Sequence, residues 1–249
     1  MAVLADLHDC AVGRENQWLL AALRQAQPDR ILLAGDMITE HTGQISSWLS
    51  YRRARDLLLE LAREFPIYYA MGNHESRWKK EREGHSYTFE RYRRELENAG
   101  IVFLDNLSAV LGSGRQGIRV TGLELPLLYY RKGLRIPKLT AAAIRKLAGP
   151  ADEEYYQILL AHTPQFFQAY ADWGADLVLA GHFHGGMVRL PLVGGVMSTY
   201  YRPFPRYDRG RFWRGERQMI VSAGLGTHTI PLRLNNPPEL LMLTFRHRG

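Results

Sequence analysis

The sequence predicts an α/β protein, and three observations carry the prediction. Apolar runs of four or five residues alternate with longer segments in which apolar residues recur at helical spacing. Each of the main runs ends at Gly, Asp, Asn or His rather than fading into a neutral loop. At 249 residues and 46% hydrophobic, the chain is large enough to bury a substantial core, and without a linker, repeat or low-complexity tract it is expected to form one domain over residues 1–249.

Residues 2–5 are a strand, followed by a loop carrying Asp6, His8, Asp9 and Cys10. Residues 15–25 place Trp18, Leu19, Ala22 and Leu23 on one helical stripe, which Pro28-Asp29 closes. The strand 30–34 ends at Gly35-Asp36; a helix over 47–64 follows, and then a strand 66–70 ending at Gly72-Asn73-His74-Glu75. The pattern recurs at 157–161, ending at His162, and at 177–180, ending at Gly181-His182-Phe183-His184-Gly185-Gly186. Between these, 101–104, 109–111 and 118–123 are short strands with glycine-rich turns, as are 187–190, 218–222 and 240–245 in the tail. The expectation is a mixed sheet, or two sheets face to face, with helices outside.

The net charge is +7 and the isoelectric point about 9.6, which favours anionic partners: phosphorylated substrates, nucleic acid or an anionic membrane surface. Arginines in helical stretches such as 51–55 and 91–94 are solvated faces. A single cysteine, Cys10, excludes an internal disulfide and suits a reducing compartment. No apolar run reaches bilayer-spanning length and no basic-then-apolar leader is visible, so the expected location is cytoplasmic, with room for peripheral membrane association.

Five strands therefore deliver metal-competent residues just past their C-terminal ends, the edge at which open α/β sheets bind ligands. Asp6, His8, Asp36, Asn73, His162, His182 and His184 are too many for one tetrahedral ion; they suit two ions with a shared carboxylate. Oxygen and imidazole donors without thiolate favour Mn, Fe or Zn over Ca or Mg, with Mn preferred. Two divalent cations, two aspartates and a hydroxide leave about one unit of positive charge to hold a phosphate. His74, beside Asn73, is left to protonate a leaving oxygen or to stabilise charge in the transition state.

Asp6-Leu7-His8, Gly35-Asp36, Gly72-Asn73-His74-Glu75, Ala161-His162-Thr163-Pro164 and the 181–186 motif together resemble the calcineurin-like metallophosphoesterases. The tail, Gly224-Leu225-Gly226-Thr227 through Asn235-Asn236-Pro237-Pro238-Glu239, is similar to a bacterial branch that includes phosphodiesterases and enzymes acting on UDP-diacylglucosamine. The resemblance implies a four-layer α/β/β/α sandwich of two mixed sheets flanked by helices, with a di-metal site at one edge. It implies that Asp6, His8 and His184 bind one ion and Asn73, His162 and His182 the other. Asp36 would bridge them, and His74 would be the catalytic histidine. The implied activity is hydrolysis of a phosphomonoester, phosphodiester or pyrophosphate by metal-activated hydroxide. Two departures from the family pattern are visible: Ala5 where Ser or Thr is usual, and Thr39 where many relatives carry Asp. Neither removes a ligand.

Residues 77–80, 125–132 and 200–207 mix aromatic with basic side chains and are expected to shape the mouth of the site. That mixture suits an amphiphilic, lipid-like phosphate ester or an anionic membrane surface, and less well single-stranded nucleic acid. A nuclease using the same site is the alternative reading, and a non-catalytic scaffold a weaker one. Cys10, His41, His85, His228 and His247 receive no role, and nothing bears on the oligomeric state.

Overall fold

A computed structural model describes residues 1–41, 48–80, 88–112, 117–131, 137–186, 188–200, 202–227 and 232–246. The N-terminal part runs β1 (Ala2–Leu4), α1 (Gln17–Ala26), β2 (Ile31–Ala34), β3 (Thr39–His41), β4 (Trp48–Ser50), α2 (Arg52–Leu61) and β5 (Ile67–Ala70). It continues through α3 (Asn73–Lys80), α4 (Phe89–Asn98) and β6 (Val102–Phe103). Then come β7 (Ser108–Leu111), β8 (Ile118–Leu123), α5 (Ala141–Ala148), β9 (Tyr156–Ala161), α6 (Phe167–Trp173) and β10 (Leu177–Ala180). The chain closes with β11 (Arg189–Leu190), β12 (Gly194–Gly195), β13 (Gly210–Arg214), β14 (Arg217–Val221) and β15 (Leu241–Met242).

Two large sheets result, in the orders β15-β1-β2-β5-β6 and β13-β14-β10-β9-β8-β7. Their central strands are parallel, and β15, β7 and β13 run antiparallel at the margins. Strand parity explains the layers, because successive side chains point to opposite faces. Ala2, Leu4, Ile31, Leu33, Ile67 and Tyr69 face outward onto Leu23, Leu58 and Leu96 of α1, α2 and α4. Val3, Leu32 and Ala34 face inward and meet Ile158, Leu160, Leu177 and Leu179 of the second sheet. Leu159, Val178 and Met219 then face Ile144 of α5 and Tyr170 of α6. Both faces of the central strands are covered, which is why they are continuous apolar runs rather than alternating ones. This is the α/β/β/α sandwich expected.

The sequence reading needs correction in three places. The helix expected over 47–64 is shorter, Arg52–Leu61, and Trp48–Ser50 instead pairs antiparallel with Thr39–His41. Its start is fixed from a distance: the Asp9 carboxylate accepts from Ser50 Oγ (2.5 Å) and from the Ala54 N–H (2.7 Å), capping a donor of the first turn. Trp18 is 73% exposed; the buried stripe of α1 is Leu19, Leu20 and Leu23. Trp78, expected at the mouth, is buried against Tyr51, Phe89 and Tyr92. No helix among the described residues is long and apolar enough to cross a membrane.

Candidate metal centre

The C-terminal ends of β1, β2, β5, β9 and β10 converge at one edge, where the two sheets face each other. Asp6, His8, Asp36, Asn73, His74, His162, His182 and His184 all lie there, none more than 7% exposed. Past β1 and β2 the loops run on side by side: Asp6 N–H donates to Gly35 O (3.0 Å), His8 N–H to Asp36 O (3.1 Å) and Asp9 N–H to Met37 O (2.9 Å). Five of these residues, Asp6, His8, Asp36, His182 and His184, have φ between 49° and 70°. Left-handed backbone costs a non-glycine residue roughly 1–2 kcal/mol, so the surrounding bonds must hold it there.

Asp6 ties the sheets together. Its two carboxylate oxygens accept from the His182 N–H at 2.9 and 3.0 Å. The approach requires glycine at 181, since a Cβ there would sit 2.1 Å from Asp6 Oδ2. Asp36 does the equivalent within its own sheet: Oδ1 accepts the His74 N–H (2.9 Å), and a Cβ on Gly72 would sit 2.2 Å from it. Asp36 Oδ2 lies 2.9 Å from His162 Nε2, 3.8 Å from His8 Nε2 and 3.9 Å from His74 Nε2.

The imidazoles are oriented from behind, as metal-ligating histidines usually are. His162 Nδ1–H donates to Ala34 O (2.8 Å), which turns Nε2 into the site, toward Asp36. His8 Nδ1 is 3.2 Å from Thr39 Oγ1, so the threonine that departs from the family pattern orients a ligand candidate. His74 Nδ1 lies 2.6 Å from Glu40 O, which directs Nε2 toward Asp36. His8 and His184 stack with their Nε2 atoms 3.0 Å apart, and His184 O accepts from Asn236 Nδ2 (2.6 Å). His182 packs edge-on against Tyr130 and Tyr200.

Three groups of ligand atoms lie within 4.8 Å of one another: Asp6 with His8 and His184, Asp36 with His162 and His182, and His8 with Asp36 and His74. Three buried atoms aimed into this edge, Asn73 Oδ1, His162 Nε2 and His182 Nε2, make no hydrogen bond, although the His162 atom is close to Asp36. Buried polar atoms are rarely left so, and cation coordination would satisfy all three. Electrostatics agree. Burial pushes the Asp6 carboxyl up to about 7, against the pull of His162. Burial opposes a charge on His162, yet Asp36 and Asp6 outweigh it and raise the imidazole to about 9. For Asp36, burial is overcome by His162, His74 and His8, which hold it well below the ordinary carboxylate value. Burial, then the charge of His162, lowers His182.

Several supporting residues escaped the sequence reading. Glu75 is fully buried, and its carboxylate accepts the N–H groups of Asp36 (3.0 Å), Met37 (2.7 Å), Ile38 (3.3 Å) and Gly72 (2.9 Å) and the Tyr69 hydroxyl (2.8 Å). Its place in the Gly72–Glu75 motif was the available signal. Of the expected mouth stretches, Tyr130 and Tyr200 line the site, whereas Lys79 is engaged with Glu124 (2.9 Å) and Asp105 (3.4 Å). Lys132, Tyr201, His85, His228 and His247 lie outside the described residues, and His41 is described by its backbone alone.

A sequence model of the calcineurin-like phosphoesterase family matches residues 1–186. Phosphodiesterase YaeI of Escherichia coli K12 is 30% identical over 220 residues, covering 88% of this chain and 71% of that one. The metallophosphoesterase YkoQ of Bacillus subtilis is 24% identical over 237 residues, 95% of this chain and 80% of its own length. Against a Helicobacter pylori metallophosphoesterase, 26% identical over 245 residues, this chain spans 58% of the relative. Among solved structures, phosphopantetheinyl hydrolase PptH of Mycobacterium tuberculosis shares the fold, with a TM-score of 0.51 at 16% identity over 88% of this chain and 87% of that one.

Proposed function

This chain belongs to the calcineurin-like phosphoesterase family, and from that premise we propose that it is a two-metal phosphoesterase acting on an amphiphilic phosphate ester at an anionic membrane surface. The observation that carries the metal reading is the pair of buried, unbonded atoms on Asn73 and His182, with His162 Nε2 beside them on Asp36, facing a second convergent set on Asp6, His8 and His184. Asp6, His8 and His184 would hold one ion, Asn73, His162 and His182 the other, with Asp36 shared between them. Bound there, two divalent cations, preferably Mn, supply Lewis acidity to phosphoryl oxygens and lower the pKa of water.

The chain's own groups do the rest. Asp36 keeps the two sets in register, and Asp6 fixes the histidine loop through the His182 N–H. His74, its Nδ1 against the Glu40 carbonyl, presents Nε2 to the leaving oxygen and delivers a proton there. Tyr130 and Tyr200 form an aromatic wall beside His182, and Arg77 acts on both His182 and Tyr200 as a nearby positive charge. Rings and a cation together suit an ester with an apolar body and an anionic head.

The protein loaded with Mn²⁺ is expected to hydrolyse bis(p-nitrophenyl) phosphate. His74→Ala should lower kcat by about 10²- to 10³-fold with both ions retained, and the loss should be larger for an alkyl ester, whose leaving oxygen depends more on protonation. An enzyme holding two ions yet inert on a broad panel of mono- and diesters would overturn the reading. Cleavage of DNA with steep salt dependence, in place of small esters, would favour the nuclease. A separate expectation concerns the histidine pair: metal titration should show His184→Ala weakening one ion and His182→Ala the other. Loss of the same ion first in both variants would refute the division of ligands.

A further inference from the structure

The chain leaves the histidine loop into a small ribbon that the phosphoesterase chemistry does not use. β11 and β12 pair antiparallel, with Pro191-Leu192-Val193 at the tip. Arg189 N–H donates to Leu234 O (3.0 Å), and Phe204 N–H to Val196 O (3.0 Å), so segments near 204 and 234 flank the hairpin. This ribbon exposes Leu190 (45%), Leu192 (108%), Val193 (58%), Phe204 (58%), Leu232 (50%) and Leu234 (52%). Those are six of the fifteen strongly exposed large apolar side chains among the described residues. A soluble surface scatters such groups singly, and their gathering on one projection calls for a partner.

Two further features say what partner. Residues 188–200, 202–207 and 232–238 contain no Asp or Glu, and the one acid bonded to them at the hairpin, Asp208, is held by Arg189 and the Gly195 N–H among the described residues. Arg202 and Arg206 are exposed on either side of Phe204, in a chain of net charge +7. An aliphatic tip and a phenylalanine flanked by arginines match the boundary between acyl chains and anionic headgroups. A second copy would bring the same arginine-bearing face against this one, so like charges would oppose the pairing. The ribbon is also fastened to the site: Arg189 Nη1 donates to Gly185 O (2.9 Å) and Asp208 Oδ2 (2.8 Å), and Asn236 Nδ2 to His184 O (2.6 Å).

We infer that the ribbon around Leu192 and Phe204 seats this protein on an anionic lipid bilayer, holding the candidate metal centre beside the headgroups. The inference deepens the amphiphilic-substrate reading and rests on it for its purpose, though its measurement needs no turnover. Full-length protein is sedimented with vesicles of phosphatidylcholine containing about 30% phosphatidylglycerol, and with phosphatidylcholine alone. Wild type should partition to the anionic vesicles in a salt-sensitive way. A Leu192→Ser, Val193→Ser double variant should bind at least about ten-fold more weakly, with unchanged bis(p-nitrophenyl) phosphate turnover and thermal unfolding. Leu192→Trp should show blue-shifted emission on the anionic vesicles only. Equal binding by the double variant, absence of wild-type binding, or a wild-type dimer that the double variant dissolves would each overturn it. Vesicle binding by a protein inert on every ester would leave this inference standing and remove the phosphoesterase reading; turnover without vesicle binding would do the reverse.

Discussion

Asp36→Asn is expected to reduce phosphoester hydrolysis by about three orders of magnitude or more, equivalent to about 4 kcal/mol of transition-state stabilisation. The side chain is isosteric, and its Oδ1 can still accept the His74 N–H, so the local backbone should hold. What is lost is the negative charge of Oδ2, 2.9 Å from His162 Nε2 and 3.8 Å from His8 Nε2. Among the described residues Asp36 is grouped both with His162 and His182 and with His8 and His74, and it approaches His162 more closely than Asp6 does, whose Oδ1 lies 3.8 Å from that Nε2. Metal analysis should therefore show fewer than two ions per chain beside near-wild-type circular dichroism. A variant that keeps two ions and a tenth of its activity would show that Asp36 is not shared.

Glu75→Ala should act through the fold. Four backbone N–H groups and the Tyr69 hydroxyl converge on this carboxylate in a fully buried position. Removing it strands donors that water reaches poorly, and each stranded group costs about 1–3 kcal/mol before relaxation. Allowing for non-additivity, we expect a loss of roughly 3–5 kcal/mol, a fall in Tm of about 10 °C for a chain of this size. Activity should fall as well, because three of the stranded donors belong to Asp36, Met37 and Ile38. Glu75→Gln, which keeps one acceptor oxygen, should lie between the two. Thermal scans placing Glu75→Ala within about 2 °C of wild type would contradict this account.

These two residues also mark what was legible in the sequence. The central strands were visible because burial on both faces makes them unbroken apolar runs, and the candidate site was visible because each run stops at a metal-competent residue. Asp36 could be picked out as a ligand candidate from its position, whereas its shared role was implied by the family resemblance. Glu75 could not be given its task, since hydrogen bonds to backbone 37 to 39 residues away leave no periodic mark. The start of α2 was misplaced for the same reason: its cap is Asp9, 45 residues upstream of Ala54. Trp18 and Trp78 were misjudged in opposite directions. A tryptophan's side of a helix depends on neighbours such as Tyr51 and Phe89, which spacing within the helix does not reveal.

The convergence of strand ends from two sheets has a mechanical consequence. Each proposed ligand set takes residues from both halves: Asp6 and His8 with His184, and Asn73 and Asp36 with His162 and His182. A seated cation would thus be a reversible cross-link, closing chain loops of about ninety residues or more in a protein whose single cysteine can form no internal disulfide. Cross-links over loops of that length restrict the unfolded chain most, so cation supply would govern how readily the sandwich opens along its seam. The edge proposed to perform chemistry would then also be the clasp that keeps the sheets shut.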